Sequence, residues 1–245
     1  MIDWALELAE NPNTYVPLRR GHERIVTDRY VVWFGSGDHP SFNVAQHFRF
    51  RAAELDAVRA EIHEHARMRG RSAVSWEVGS SATPPDLVDR LLALGLVDDD
   101  EPLRVGMALT VAPPEVPDVE VRRVDTGDEL RVAARIAATV FGTPYSEPPP
   151  PDPDAVVYLA YLGGAPVARA TGVFSAYGVT LFGGAVLPEA RGRGAYRALV
   201  RARWDDAVAR GTPLGVTDAG SQSRPILARL GFREVCTIRA LIDRF

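Results

Sequence analysis

Apolar positions alternate with polar ones from Val119 to Val124, the two-residue period of a strand with one buried face. Thr126 followed by Glu129 is a capping box, and it predicts a helix whose Leu130, Ala133, Ile136, Ala137 and Val140 share a face. The apolar runs Val156 to Leu162 and Val167 to Phe174, parted by Gly163-Gly164, predict a hairpin. A further apolar run from Leu181 ends at Val186-Leu187-Pro188. Beyond it Tyr196, Leu199, Val200, Trp204, Ala207 and Val208 recur at spacings of three and four, with Arg197, Arg201 and Asp205 on the other side: an amphipathic helix. A short strand from Leu214 to Thr217, a second helix after Ser221-Gln222-Ser223-Arg224-Pro225, the stop Leu230-Gly231-Phe232 and a closing strand complete the order. Between helix and hairpin, the stretch from Phe141 to Asp154 with its four prolines at 148 to 151 is extended and stiff, either a spacer or a substrate-gripping lid.

The first half repeats this organisation. Val58-Arg59-Ala60, Arg69-Gly70, Gly79-Ser80 and Leu94-Gly95 answer to Val200-Arg201-Ala202, Arg210-Gly211, Gly220-Ser221 and Leu230-Gly231, with nine residues from Gly70 to Gly79 and nine from Gly211 to Gly220. Thr83-Pro84-Pro85-Asp86 supplies a cap and a proline first turn for the helix that follows. The Pro-rich stretch from Ala112 to Asp118 sustains neither helix nor central strand and reads as a linker. The expected organisation is residues 1–112, a linker at 113–118, and 119–245.

Composition narrows the function. The 245 residues are 46% hydrophobic and 24% charged, with a net charge of −4 and scattered basic residues, so neither nucleic acid nor a membrane surface is an expected partner. All 28 basic residues are arginine, which carries no functional implication. Cys236 is the only cysteine, and no apolar run has the length of a membrane span or signal sequence, so a cytoplasmic location is expected. Cys236 itself reads as a small core residue. His63 and His65 lie two apart on a predicted helix and point to different faces, which predicts a solvated helix and no metal site. Asp98-Asp99-Asp100-Glu101 reads as a solvated turn.

The chemistry concentrates in Leu181 to Tyr196, where an apolar strand runs through Pro188-Glu189-Ala190-Arg191-Gly192-Arg193-Gly194 into a helix. Helix-start N–H groups lack intrahelical partners and sit at the positive end of the helix dipole. Gly192 and Gly194 remove side chains that would hold an anion off, and Arg191 and Arg193 add fixed charge, so a pyrophosphate is the natural guest. In the first half the corresponding Phe48-Arg49-Phe50-Arg51-Ala52-Ala53-Glu54 has no glycine, which predicts no second cradle. A dinucleotide-dependent oxidoreductase fits poorly, because the glycines come late in their domain and lack the Gly-x-Gly-x-x-Gly spacing.

Arg191 and Gly194 after Val186-x-Pro188, with helix, strand and a second helix closing on Leu230-Gly231-Phe232, resemble the GCN5-related N-acetyltransferase (GNAT) superfamily over about residues 118 to 245. The resemblance implies an α/β (α+β) fold: two tandem acyl-CoA N-acyltransferase-like domains, each a central mixed sheet flanked by helices, the first incomplete. It implies acetyl-CoA as co-substrate, no metal, and transfer of an acetyl group to a primary amine of a small molecule or peptide. Main-chain atoms of Ala185, Val186 and Leu187 would hold the pantetheine, and Arg191, Gly192, Arg193, Gly194, Ala195, Tyr196 and Arg197 the pyrophosphate. Asp218, Ser221 and Ser223 border the gap between two strands that the family splays for the cofactor. Ser221 is assigned to the cofactor, and Asp218, Glu189 through a water, and Ser223 are the catalytic candidates. Ser221 or Ser223 also reads as a helix cap. Two positions depart from the family: Tyr196 stands where Gly or Ala is usual, and Leu227 stands where many relatives carry the tyrosine that protonates the leaving thiolate. The alternative function is a non-catalytic acyl-CoA-binding or interaction protein.

Overall fold

The computed structural model describes residues 2–37 and 39–245. In chain order the elements are α1 (Trp4–Glu10), α2 (Pro12–Tyr15), β1 (Glu23–Val26), β2 (Val31–Phe34), β3 (Asn43–Gln46), α3 (Leu55–Arg67), β4 (Ala73–Gly79), α4 (Leu87–Ala93) and β5 (Val97–Leu109). They continue as β6 (Glu120–Arg123), α5 (Gly127–Phe141), β7 (Ala155–Leu162), β8 (Ala165–Phe174), β9 (Val179–Val186), α6 (Ala195–Ala209), β10 (Gly215–Ala219), α7 (Arg224–Arg229) and β11 (Arg233–Arg244). The α/β class follows the alternation of strand and helix periods in the sequence. Among the described residues no helix is long and apolar enough to cross a membrane.

The chain folds into two compact units. The first comprises Met1–Met107, Asp218–Pro225 and Glu234–Phe245; the second comprises Ala108–Thr217 and Ile226–Arg233.

In the first unit the strand order is β1-β2-β3-β4-β11-β5. The strands β1, β2 and β3 are antiparallel, β3 meets β4 in parallel over Val44↔Ser75 and Ala45↔Trp76, and β11 lies antiparallel on β4 from Ile238↔Gly79 to Arg244↔Ala73. Trp76, Phe48, Val58, Ile62, Leu87, Leu91 and Leu241 form its core, with Phe48 stacked on Trp76 at 4.9 Å. Three expectations change here. Helix α4 begins at Leu87 rather than at the prolines, because Thr83 pairs its backbone with Phe48 and Phe50, and Asp86 takes the cap position. Asp98 to Glu101 lie inside β5, not in a turn. His63 is buried: its Nε2 is 2.7 Å from Asp243 Oδ2 and its ring stacks on Phe245 at 3.8 Å, while Arg59 holds Asp243 through two bonds of 2.7 and 2.8 Å.

In the second unit the order is β10-β9-β8-β7-β6, with β10 parallel to β9 and the rest antiparallel. Thr126 caps α5 as its sequence predicts, accepting from the Glu129 amide at 3.3 Å while donating to Glu129 Oε2 at 2.9 Å. Leu130, Ala133 and Ile136 pack with Val124, Leu159 and Ala185. Gly163 and Gly164 turn the β7–β8 hairpin with φ of 58° and 80°, which glycine alone adopts without strain. The inward face of α6 is Ala195, Ala198, Leu199, Val200, Arg203, Trp204 and Ala207, whereas Val208 is exposed. A charged residue thus occupies a core position, and its aliphatic stem lies against Gly172. The Pro-rich stretch is bound rather than slack: Arg201 donates to the Pro113 carbonyl at 3.0 Å and pairs with Glu115 at 3.5 Å.

Candidate functional site

The site begins where β9 leaves its neighbours. Pairing of β9 with β10 ends at Val216↔Thr180, although β9 runs on to Val186, and Thr217 Oγ1 then donates to the Leu181 carbonyl at 3.0 Å in place of a backbone rung. On its other side the register of β9 slips between Phe182 and Ala185, where Gly183 takes φ of 53° and its carbonyl accepts from Arg169 at 2.8 Å. This bulge re-aims the peptide groups of the following residues.

After a turn over Pro188–Ala190 the chain passes through Gly192 and Gly194, with φ of 76° and 90°, and enters α6. The first helical bond is Ala198 N–H to the Gly194 carbonyl at 3.0 Å, so the amides of Ala195, Tyr196 and Arg197 precede the ladder. A Cβ on Gly192 would meet nothing within 4 Å, whereas one on Gly194 would come within 2.8 Å of Val116. The glycines therefore serve different ends: Gly192 borders open space and Gly194 lets the Pro-rich stretch approach. Arg191, Arg193 and Arg197 are exposed around the helix start. Together these groups fit a pyrophosphate, with bare amides, a positive helix end and three guanidinium groups. The Leu187 amide is already spent on the Val167 carbonyl at 2.9 Å, and the Val186 carbonyl accepts weakly from Arg191 at 3.4 Å.

The remaining candidates are engaged or solvated. Asp218 accepts from Arg104 at 2.8 Å. The Ser221 amide donates to Glu101 at 3.0 Å, and Ser223 Oγ reaches the Gly220 carbonyl at 3.5 Å. Glu189 is an exposed turn residue. Arg104 and Glu77 were not singled out from the sequence, and Glu101 was read only as part of a solvated turn. The signal for Glu77 was there, because matching Gly79 with Gly220 puts Glu77 at the place of Asp218.

No protein-family profile matches the chain, and none of the curated proteins matches it in sequence. Solved structures do match in shape. A GCN5-related N-acetyltransferase from Kribbella flavida is 22% identical over 98% of this chain and 95% of its own, with a TM-score of 0.76. A tandem GNAT protein from the clavulanic acid biosynthesis pathway is 17% identical over 88% of this chain and 78% of its own, with a TM-score of 0.60. A GCN5-related N-acetyltransferase from Sphaerobacter thermophilus gives the same identity and TM-score over 90% and 82%.

The fold is the GNAT fold. The first unit differs from the start of α6 in two local respects. Its helix start supplies its own anion: Glu54 accepts from the Arg51 amide at 2.9 Å and from Arg51 Nε at 3.1 Å. Past the short β3–β4 pairing, the N-terminal residues fill the space. Asn11 accepts from the His47 amide at 3.0 Å, Gln46 bonds Asn13 and Thr14, and buried Glu10 takes the Ser80 hydroxyl at 3.0 Å and the Ser81 amide at 2.9 Å. In the second unit Leu227 is fully buried in α7, and its side chain has no proton to donate. Cys236 is also buried, its thiol pushed up to about 12 chiefly by burial, and it is no nucleophile at neutral pH.

Proposed function

We propose that this protein is an acetyl-CoA-dependent N-acetyltransferase that moves an acetyl group directly to a primary amine of a small molecule or peptide. The observation that carries the reading is the strand divergence at Val216↔Thr180 leading into the glycine- and arginine-framed start of α6. Bound acetyl-CoA supplies the thioester. The Arg191 to Arg197 loop holds the pyrophosphate through main-chain amides and guanidinium groups, and the main chain at Ala185 and Val186 aligns the pantetheine. Leu187 is the weaker member of that set, its amide being committed within the sheet. Of the catalytic candidates Asp218 is the base, with Glu189 through a water as the alternative; Ser223 and Ser221 border the same strand end. The first sequence block, residues 1–112, contributes the groups that surround Asp218 rather than a second cofactor site.

The buried Leu227 favours a second reading, a non-catalytic acyl-CoA-binding protein. Calorimetry with CoA and thiol release with acetyl-CoA across a primary-amine panel decide between them. The proposal expects one CoA per chain and turnover with at least one amine. Two CoA per chain would overturn the single-cradle assignment, and tight binding without any turnover would favour the second reading.

A further inference from the structure

In the second unit β9 carries one residue more than the strand it pairs with. The rungs Gly172↔Leu181 and Thr171↔Phe182 give way to Arg169↔Ala185 and Ala168↔Val186, so Ala170 alone faces Gly183 and Gly184 together. A strand residue at φ of 53° turns its carbonyl out of the ladder, and that carbonyl needs a donor from elsewhere. Arg169 supplies it. Its Nη1 donates to the Gly183 carbonyl at 2.8 Å and its Nη2 to Thr171 Oγ1 at 2.9 Å, so one guanidinium grips β9 inside the bulge and β8 just beyond it. The fit leaves no room for a side chain, since a Cβ on Gly183 would collide with Arg169 Nη1.

The bulge decides which way the next peptide groups face. The Leu187 amide donates to the Val167 carbonyl of β8, and successive residues of an antiparallel strand turn to alternate edges, so the N–H and C=O of Val186 face the other edge of β9. That is the edge whose pairing with β10 ends at Val216↔Thr180. If the extra residue moved along β9 past Val186, the residues it passed would be turned over, and Val186 would face β8 instead. Little in the strand opposes such a slip. Gly183 and Gly184 offer no side chains to hold a register, and Ala168 and Ala170 on the facing strand are small. Arg169 is the only charged residue of β8, and it spans the point where the slip would begin.

We infer that Arg169 is a positioning residue for the acyl donor: by bracing the bulge at Gly183 it fixes the register that turns the Val186 peptide groups to the open edge of β9. The inference rests on the acetyltransferase reading, in which the pantetheine is aligned by the main chain at Ala185 and Val186. Arg169 itself meets neither donor nor acceptor. The pyrophosphate loop belongs to the start of α6, so the brace acts on the pantetheine part of the cofactor and not on the nucleotide part.

Hydrogen–deuterium exchange of the full chain, without any ligand, tests the brace. In Arg169→Met, a side chain of similar length with no donor, the amides of Gly184 to Leu187 should exchange about tenfold faster or more, while α5 and α6 keep their protection. Unchanged exchange in the strand overturns the brace. Calorimetry then separates the two parts of the cofactor, because CoA carries the pantetheine arm and ADP carries a pyrophosphate without it. Arg169→Met should weaken CoA about tenfold and leave ADP within about twofold, and Arg169→Lys, which keeps one donor for Gly183, should recover part of the loss. An equal fall for both ligands would make Arg169 a structural residue only, and unchanged CoA affinity would remove it from the donor site; either result overturns the inference. Should Arg169→Met fail to fold, Thr171→Val, which removes the bond that aims the guanidinium, carries both comparisons. A wild type that binds neither CoA nor ADP overturns the cofactor reading and the positioning role together, while the exchange experiment still decides the brace.

Discussion

The ring of Tyr196 lies against the backbone of Gly184, so close that a Cβ on the glycine would come within 2.7 Å of Cε2. Tyr196 is the residue that crowds the helix start, and Gly184 lies in the bulged stretch of β9. The strand gives up a side chain so that the helix can carry a large one.

The two positions should therefore be coupled. Gly184→Ala overpacks the contact and should cost about 1–3 kcal/mol. Tyr196→Ala leaves a void in a half-buried site and should cost about as much. In the double variant the costs should fall short of their sum by about 0.5 kcal/mol or more, measured by urea denaturation. Strict additivity would show that ring and glycine act independently.

Arg193 and Arg197 are exposed, so removing them should leave the fold intact. Replacing either with Ala should change stability by no more than about 0.5 kcal/mol, yet weaken CoA about three- to tenfold with a shallower salt dependence. Calorimetry at two ionic strengths reads both quantities. Unchanged affinity would remove these side chains from the cofactor site.

Asp243 is buried, which by itself would raise its pKa, but the bonds from Arg59 and His63 outweigh burial and hold it below the free value. Because the folded value is the lower one, its contribution is complete above about pH 5 and is lost as pH falls through the folded value. Asp243→Asn should cost about 3 kcal/mol or more near neutrality, a difference that closes under acid. Denaturation of both proteins from neutral to acidic pH measures this, and a gap independent of pH would contradict it.

Arg203 presents the reverse case. It is fully buried, its Nε and Nη1 bond only the carbonyls of Leu199 and Thr171, at 2.9 and 3.3 Å, and burial brings its pKa down to about 10. Its Nη2 has no hydrogen-bond partner among the described residues. Arg203→Met should leave stability unchanged or raise it by about 1 kcal/mol, read from the denaturation midpoint. A loss of several kcal/mol would instead show that the guanidinium is structurally required.

The hairpin at Gly163-Gly164, the Thr126 capping box and the Gly192/Gly194 loop were legible in the sequence because each depends on its own neighbours. Arg203 was not, since a charged side chain at an inward helix position looks like part of the polar face. Asp98 to Glu101 misled for another reason: four successive acids conceal the alternation of a strand, and their partners Arg239, Arg104 and the Ser221 amide are supplied by distant parts of the chain. The position of β11 against β4 is equally non-local, as nothing in its residues names the strand it joins.

That position of β11 bears on the order in which the protein can be made. Its strand is interior to the first unit, seated between β4 and β5, yet it is synthesised long after both. Until it emerges, β4 and β5 have open edges, and Asp243 is not there to receive Arg59 and His63. The first unit must wait for a strand made long after the rest of its sheet, and during that interval the ribosome carries a half-built sheet open to pairing with the wrong strand.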